Sequence, residues 1–201
     1  MPSAVENKTI YMTARTLNTV NDTVAGGGTA SITGIGRCPG ALGSIVYLDP
    51  GHPVVYTAGT GTLYPGAYQY VHLVSTSTAA AAVGGIAYWV NPLSSSVPYD
   101  VSADAVDGNQ AGVFINVLTK GNYGFIQVGG LATVLYGTIT KATPAIKDWV
   151  ICTSGTGTAD ILADATSLTS VTIKRSLGTA ESVPASTTKG QVFLQLQKRN
   201  E

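Results

Sequence analysis

The clearest structural signal in this chain is the stretch GVFINVLTKGNYGFIQV, residues 112–128. It contains two runs rich in β-branched and aromatic residues, 112–118 and 123–128, separated by Thr119-Lys120-Gly121-Asn122. Glycine and asparagine tolerate the positive φ angles that tight turns need. The pattern therefore predicts a β-hairpin made of two antiparallel strands and a short loop.

Similar short apolar runs, separated by Gly, Pro, Asp and Asn, fill the chain from residue 44 onward. Helical periodicity is scarce, so we expect an all-β fold, either a β-barrel or β-roll or a sandwich of short antiparallel strands. In the last run, Val192, Leu194 and Leu196 alternate with other residues and should face a core. The other predicted strands are 44–48, 54–57, 68–75, 86–90, 132–140, 149–153, 170–174 and 191–197.

Residues 1–30 are polar and end in Ala25-Gly26-Gly27-Gly28-Thr29, so we expect a flexible N-terminal arm with a glycine hinge. Residues 31–201 should form the β-rich domain. The alternative is that a boundary near residues 100–110 divides this domain into two subdomains. The repeat of TAGTGT at 57–62 as TSGTGT at 153–158 would suit two related units or simply similar turns.

The arm itself has two interpretations, a disordered tail or a segment that becomes ordered along a neighbouring subunit. The run Thr9-Ile10-Tyr11-Met12 has the composition that strand addition to a sheet edge uses, which favours the second. The residues expected to make this assembly contact are Lys8, Ile10, Tyr11 and Arg15.

Charge is unusually sparse. Only 11% of residues are charged and the formal net charge is zero, against roughly a quarter charged in an average domain. Little charge repulsion keeps such molecules apart, so we expect self-association. The alternative is a monomer whose surface is hydrated by Thr, Ser and Asn. Residues 38–119 carry only four charges, all Asp, whereas residues 120–201 carry eight Lys or Arg and five Asp or Glu. Complementary subunit faces or chance would each explain this division.

Catalytic and metal-binding patterns are missing from the sequence. His52 lies in a turn motif and His72 in a predicted strand, in no spacing that would place both on a metal. Asp100, Asp104 and Asp107 lack the density of a calcium loop and are expected in a solvated loop. The glycine-rich turns do not complete a phosphate-binding loop, and no Gly-x-Ser-x-Gly occurs. We therefore expect no enzyme, no metal and no cofactor, with a small hydrolase as the weakest alternative.

Other partners are also constrained. Two adjacent basic pairs at 174–175 and 198–199 are too few to predict direct nucleic-acid binding. The longest apolar stretch, 79–90, is too short to span a membrane, and the start of the chain does not resemble a signal peptide. Cys38 and Cys152 are expected to be reduced and buried, with pairing left open. The ten tyrosines would serve either a binding surface or ordinary strand packing.

One segment resembles a known family. GNYGFIQVGGLA, residues 121–132, is similar to the G-x-x-G-F-I-Q-V-x-G-x-A hairpin of tailed-bacteriophage head decoration, or cement, proteins. The later runs DWVI at 148–151, SLGTA at 176–180 and VFL at 192–194 resemble the layout of the same β-roll proteins. The resemblance covers roughly residues 84–197.

The resemblance implies a virion structural protein, often trimeric, on the capsid exterior, where it clamps junctions between major capsid subunits. It implies assembly in the host cytoplasm and no catalytic residues. The partners expected are further copies of this chain in a homotrimer and the major capsid protein. The alternative is a phage tail or fibre component that binds a host glycan or protein.

Overall fold

The computed structural model describes residues 42–48, 56–58, 61–78, 81–91, 99–104, 109–153, 157–162 and 175–196. Every regular element in this part of the chain is a β-strand, which confirms the predicted all-β class. The strands are β1 Ile45–Leu48, β2 Tyr56–Ala58, β3 Gly61–Leu63, β4 Gly66–Leu73, β5 Ile86–Trp89, β6 Asp100–Ser102, β7 Gln110–Phe114, β8 Tyr123–Leu135, β9 Trp149–Cys152, β10 Ala159–Ile161, β11 Ser176–Ala180 and β12 Lys189–Leu194.

Five strands close into a barrel in the order β4-β6-β5-β7-β8, because β8 also pairs with β4. All of these pairings are antiparallel except the parallel pair β4–β6. Alternate residues of each strand face the barrel interior and exclude water from it. The apolar residues that form this core include Val71, Leu73, Ala87, Val101, Phe114, Leu118 and Ile126.

Strand β8 continues past the barrel and begins a second curved sheet, which we call the roll. Its strands follow the order β8-β12-β11-β9-β10. The roll returns to its start, since a parallel bridge joins Tyr136 to Ala159 and the Gly137 N–H donates to the Ala159 carbonyl at 2.9 Å. Ile86, Tyr88 and Val113 of the barrel pack into the roll's core, so the two parts share apolar contacts.

The passage of β8 from barrel to roll requires a bend. Gly130 there has a φ of 85°, and a Cβ at this position would lie 2.7 Å from the Pro65 carbonyl oxygen. The buried Gln127 side chain donates to the carbonyl of Gly129 at 3.2 Å and to that of Leu131 at 2.8 Å. One amide group thus ties the two sides of the bend together.

Some of the strand predictions are confirmed by the structure and others are wrong. The hairpin is confirmed, with Val113 opposite Gln127 and Phe114 opposite Ile126, although its first strand ends at Phe114 and its loop is longer than predicted. The separation of 123–128 from 132–140 is wrong, because β8 runs without interruption through Gly129 and Gly130 while its ladder partners change.

The last predicted strand is confirmed. Val192 and Leu194 are buried in the roll, Leu196 packs against the same core, and Phe193 points outward. The three-residue strands β3, β6 and β10 were not predicted, since they are too short to show a pattern, and the five-residue strand β11 was also missed. The predicted strand 170–174 lies outside the described residues, as do the arm and hinge at 1–30.

The proposed division near residues 100–110 stays a prediction. In the structure, β6 occupies the start of this segment, β7 begins at its end, and both strands pair with β5 of the barrel.

Candidate assembly surface

The outer face of the roll carries a row of side chains that crosses four strands in register. Trp149 of β9 lies opposite Thr179 of β11, Thr179 lies opposite Phe193 of β12, and Phe193 lies opposite Leu131 of β8. Trp149 and Phe193 are each 45% exposed. We call these four residues the aromatic row. Neighbouring strands are about 4.8 Å apart, so the two rings are separated by about 10 Å with the smaller Thr179 between them.

Core packing dictates which way the two rings point. Val150 and Val192 are completely buried in the roll, and successive side chains of a strand point to opposite faces. Trp149 and Phe193, which adjoin these valines, must therefore face outward. At Gly178 a Cβ would lie 1.9 Å from the Phe193 carbonyl oxygen, so β11 approaches β12 too closely there for any side chain.

Charges near the row neutralise one another in pairs. Lys141 Nζ lies 2.6 Å from Asp148 Oδ1, and Lys147 Nζ lies 2.6 Å from Glu181 Oε1. Partial burial acts to raise the pKa of Asp148, but hydrogen bonds from Lys141 and the Ala145 backbone, with the charge of Lys141, hold that pKa below its ordinary value. This part of the basic C-terminal half therefore presents paired charges beside an apolar face.

A second accessible feature is the edge of β1. Among the described strands, β1 pairs only with β4. Ile45 and Tyr47 are 48% and 56% exposed, whereas Val46 between them is buried. The Tyr70 N–H donates to the Ser44 carbonyl, so by antiparallel alternation the backbone groups of Val46 face β4. Those of Ile45 and Tyr47 point away from the sheet. We call this row of groups the β1 edge.

His72 has a carboxylate partner that the sequence did not reveal. Its Nδ1 lies 2.8 Å from Asp100 Oδ1, and its ring stacks on Tyr123 with centroids 4.5 Å apart. The prediction that His72 lies in a strand is confirmed. The pairing follows from the parallel register of β4 and β6, which residue spacing could not indicate.

A histidine and an aspartate can share a proton, but catalysis also requires a group that reacts with a substrate. The side chains that His72 contacts by hydrogen bonding or ring stacking are Asp100 and Tyr123. The contacts of His72 with Asp100 and Tyr123 therefore connect β4, β6 and β8 at one end of the barrel.

The other aspartates of the predicted loop also have structural partners. Asp104 accepts hydrogen bonds from the Thr78 backbone at 2.8 Å and from the Ser102 hydroxyl at 3.1 Å. The expectation of a loop is thus wrong for Asp100, which belongs to β6, whereas Asp104 lies in the partly exposed bend that follows this strand. Asp107 and His52 lie outside the described residues. Within the described ranges, no three His, Cys, Asp or Glu side chains converge as metal ligands would.

Several tyrosines serve packing. Tyr68, Tyr70 and Tyr88 are buried, which favours the interpretation of strand packing over a tyrosine binding surface at these positions.

Cys152 is buried and unpaired, as expected, and burial raises the pKa of its thiol. Cys38 lies outside the described residues.

The predicted assembly residues Lys8, Ile10, Tyr11 and Arg15 also lie outside the part of the chain that the structure describes. The aromatic row and the β1 edge were not predicted from sequence. An outward signal existed for Phe193, which alternates with the apolar residues of its strand, but none indicated that Trp149 would lie in register with it. Among the described residues, no helix is long and apolar enough to cross a membrane.

No protein-family model matches the sequence, and no curated protein matches it. A partial structural likeness is found to the head fiber gp8.5 N base in bacteriophage phi29, with a TM-score of 0.44 and 12% sequence identity over 67% of this chain and 98% of that one.

Proposed function

We propose that this chain is a virion structural protein of a tailed bacteriophage, and more narrowly a capsid decoration or cement protein. It acts without catalysis. It sits on the capsid exterior, binds between major capsid subunits and associates with copies of itself as a homotrimer. Its assembly in the host cytoplasm belongs to the same proposal.

The observation that carries the proposal is the aromatic row. Interface cores are depleted in charge and enriched in Trp and Phe, and truncation of such residues often removes most of the binding energy. Trp149 and Phe193 offer this chemistry on the outer face of the roll, where the nearby charges are already paired. A broad, charge-poor face suits a protein that must hold neighbouring subunits together.

The test uses the purified full-length chain and phage heads that lack decoration. We expect saturable binding at a fixed number of copies per head, measured by co-sedimentation, and a trimeric mass by analytical ultracentrifugation. Head stability on heating or dilution should rise with occupancy, because a ligand that binds only the intact shell stabilises it. A protein that neither sediments with heads nor raises their stability would contradict the proposal.

The second candidate is a tail or fibre component that binds a host glycan. The observation that favours it is the spacing of Trp149 and Phe193 with Thr179 between them, since aromatic rings can stack on sugar faces. The Thr179 hydroxyl donates to Glu181 Oε1 at 3.3 Å, which leaves its oxygen to accept from a sugar hydroxyl. A glycan screen distinguishes the two functions. A defined saccharide that binds at Trp149, together with a chain that has no affinity for undecorated heads, would favour the fibre component.

A further inference from the structure

We infer that the β1 edge accepts an added strand from a second copy of this chain, and that residues 9–12 supply this strand. The inference rests on the proposed self-association, which it deepens by naming the two segments that meet. It assigns the aromatic row and the β1 edge to different partners, the capsid and a neighbouring copy.

The acceptor is an edge without the usual protection. Sheet edges in soluble proteins are blunted by charged residues, proline or bulges, because outward N–H and C=O groups pair readily with other strands. The sequence of β1 is Ile45-Val46-Tyr47-Leu48, with none of these features, and its register with β4 is regular. Its outward groups at Ile45 and Tyr47 match those of an incoming extended segment, and the side chains of both residues are exposed.

The donor is the strand-forming run of the arm, Thr9-Ile10-Tyr11-Met12. Lys8 and Arg15 flank it and would keep it soluble before it pairs. Roughly 30 residues separate the run from β1, enough for an extended reach of about 100 Å. Connections of this length between paired strands of one compact domain are uncommon, whereas the same length easily reaches a neighbouring molecule. The occupant is therefore the arm of another copy.

The experiment is a cysteine scan in mixed samples of full-length protein. One preparation carries Tyr47→Cys, and a second, with a mass tag, carries a single cysteine at position 9, 10, 11 or 12. Both preparations also carry Cys38→Ser. After mixing and mild oxidation, disulfides that join a tagged to an untagged chain are quantified by mass. Ile45→Cys replaces Tyr47→Cys as acceptor if the latter fails to fold, since both side chains lie on the same face. Val117→Cys is the matched control, because Val117 is also exposed but lies in the β7–β8 loop.

We expect mixed disulfides at two alternate arm positions and not at the two between them, since side chains of a strand alternate between faces. These should exceed the Val117→Cys control about tenfold, because pairing raises the effective concentration of the two thiols. Equal yields at all four positions, equal yields with the control, or disulfides formed only within single chains would each overturn the inference. Head binding is measured on the same samples, so a chain that binds heads without cross-linking would refute the strand addition while leaving the decoration function intact.

Discussion

Replacing Phe193 by threonine should weaken head binding by an amount that the structure allows us to estimate. Phenylalanine offers about 200 Å² of surface, and 45% of Phe193 is exposed. About 90 Å² is thus available to a partner, which at about 25 cal/mol per Å² corresponds to about 2 kcal/mol, or about a 30-fold rise in Kd. Threonine keeps the preference for strand structure, but the rest of the Phe193 surface packs against Thr179 and Leu131, so the free energy of unfolding should fall by about 1 kcal/mol, as for the loss of an aromatic cross-strand pair.

The assay is a titration of fluorescently labelled protein onto undecorated heads, with thermal unfolding of each variant measured in parallel. Val117→Thr is the matched control, since Val117 is 62% exposed in the β7–β8 loop of the barrel. We expect Phe193→Thr to bind far more weakly while Val117→Thr binds as the unmodified protein does. If both variants bind equally well, the aromatic row is not the capsid-binding face and the assignment is wrong.

Three further predictions concern the architecture beneath that face. Gln127→Leu removes both hydrogen bonds across the β8 bend and should lower the free energy of unfolding by about 1–3 kcal/mol in urea titrations, whereas Gln195→Leu at an exposed position should not. Gly130→Ala should lower the melting temperature, since its φ is positive and its Cβ would meet backbone, while Gly129→Ala, whose Cβ has ordinary contacts, should be tolerated; similar melting of both would refute the account of the bend. Because its folded pKa is depressed, ionised Asp148 stabilises the fold above its ordinary value near 3.8 and loses that contribution as pH falls through the lower folded value. Asp148→Asn should therefore be less stable than the unmodified protein at neutral pH, with the difference vanishing in acid unfolding curves below that pKa.

Local patterns sufficed for much of the fold. The alternation at Val192 and Leu194 predicted both the strand and its buried face, because a two-residue period has one physical solution over a core. The turn at Gly121-Asn122 likewise predicted the hairpin. These signals are local, and the residues that satisfy them are neighbours in sequence.

The rest depends on contacts between distant segments. Gly129-Gly130 looks like a break between strands, and only the ladders with β4 and β12 show that β8 continues through it. His72 and Asp100 meet through a parallel pairing across 28 positions. The aromatic row arises from the register of β9, β11 and β12, in which a shift of β9 or β12 by one residue would bury the ring that this strand carries. No local pattern in the chain encodes such registers.

The sharing of β8 between barrel and roll also imposes an order on biosynthesis. Every strand of the barrel has been synthesised once residue 135 is made, but the strand that joins β8 to β11 is β12, which is synthesised last of the twelve described strands. Until then the second half of β8 lacks its partner along residues 130–135. Domains form from the N-terminal side as the ribosome advances. A growing chain should therefore carry the five barrel strands with the second half of β8 lacking its β12 ladder, and that ladder forms only after β12 has left the ribosome.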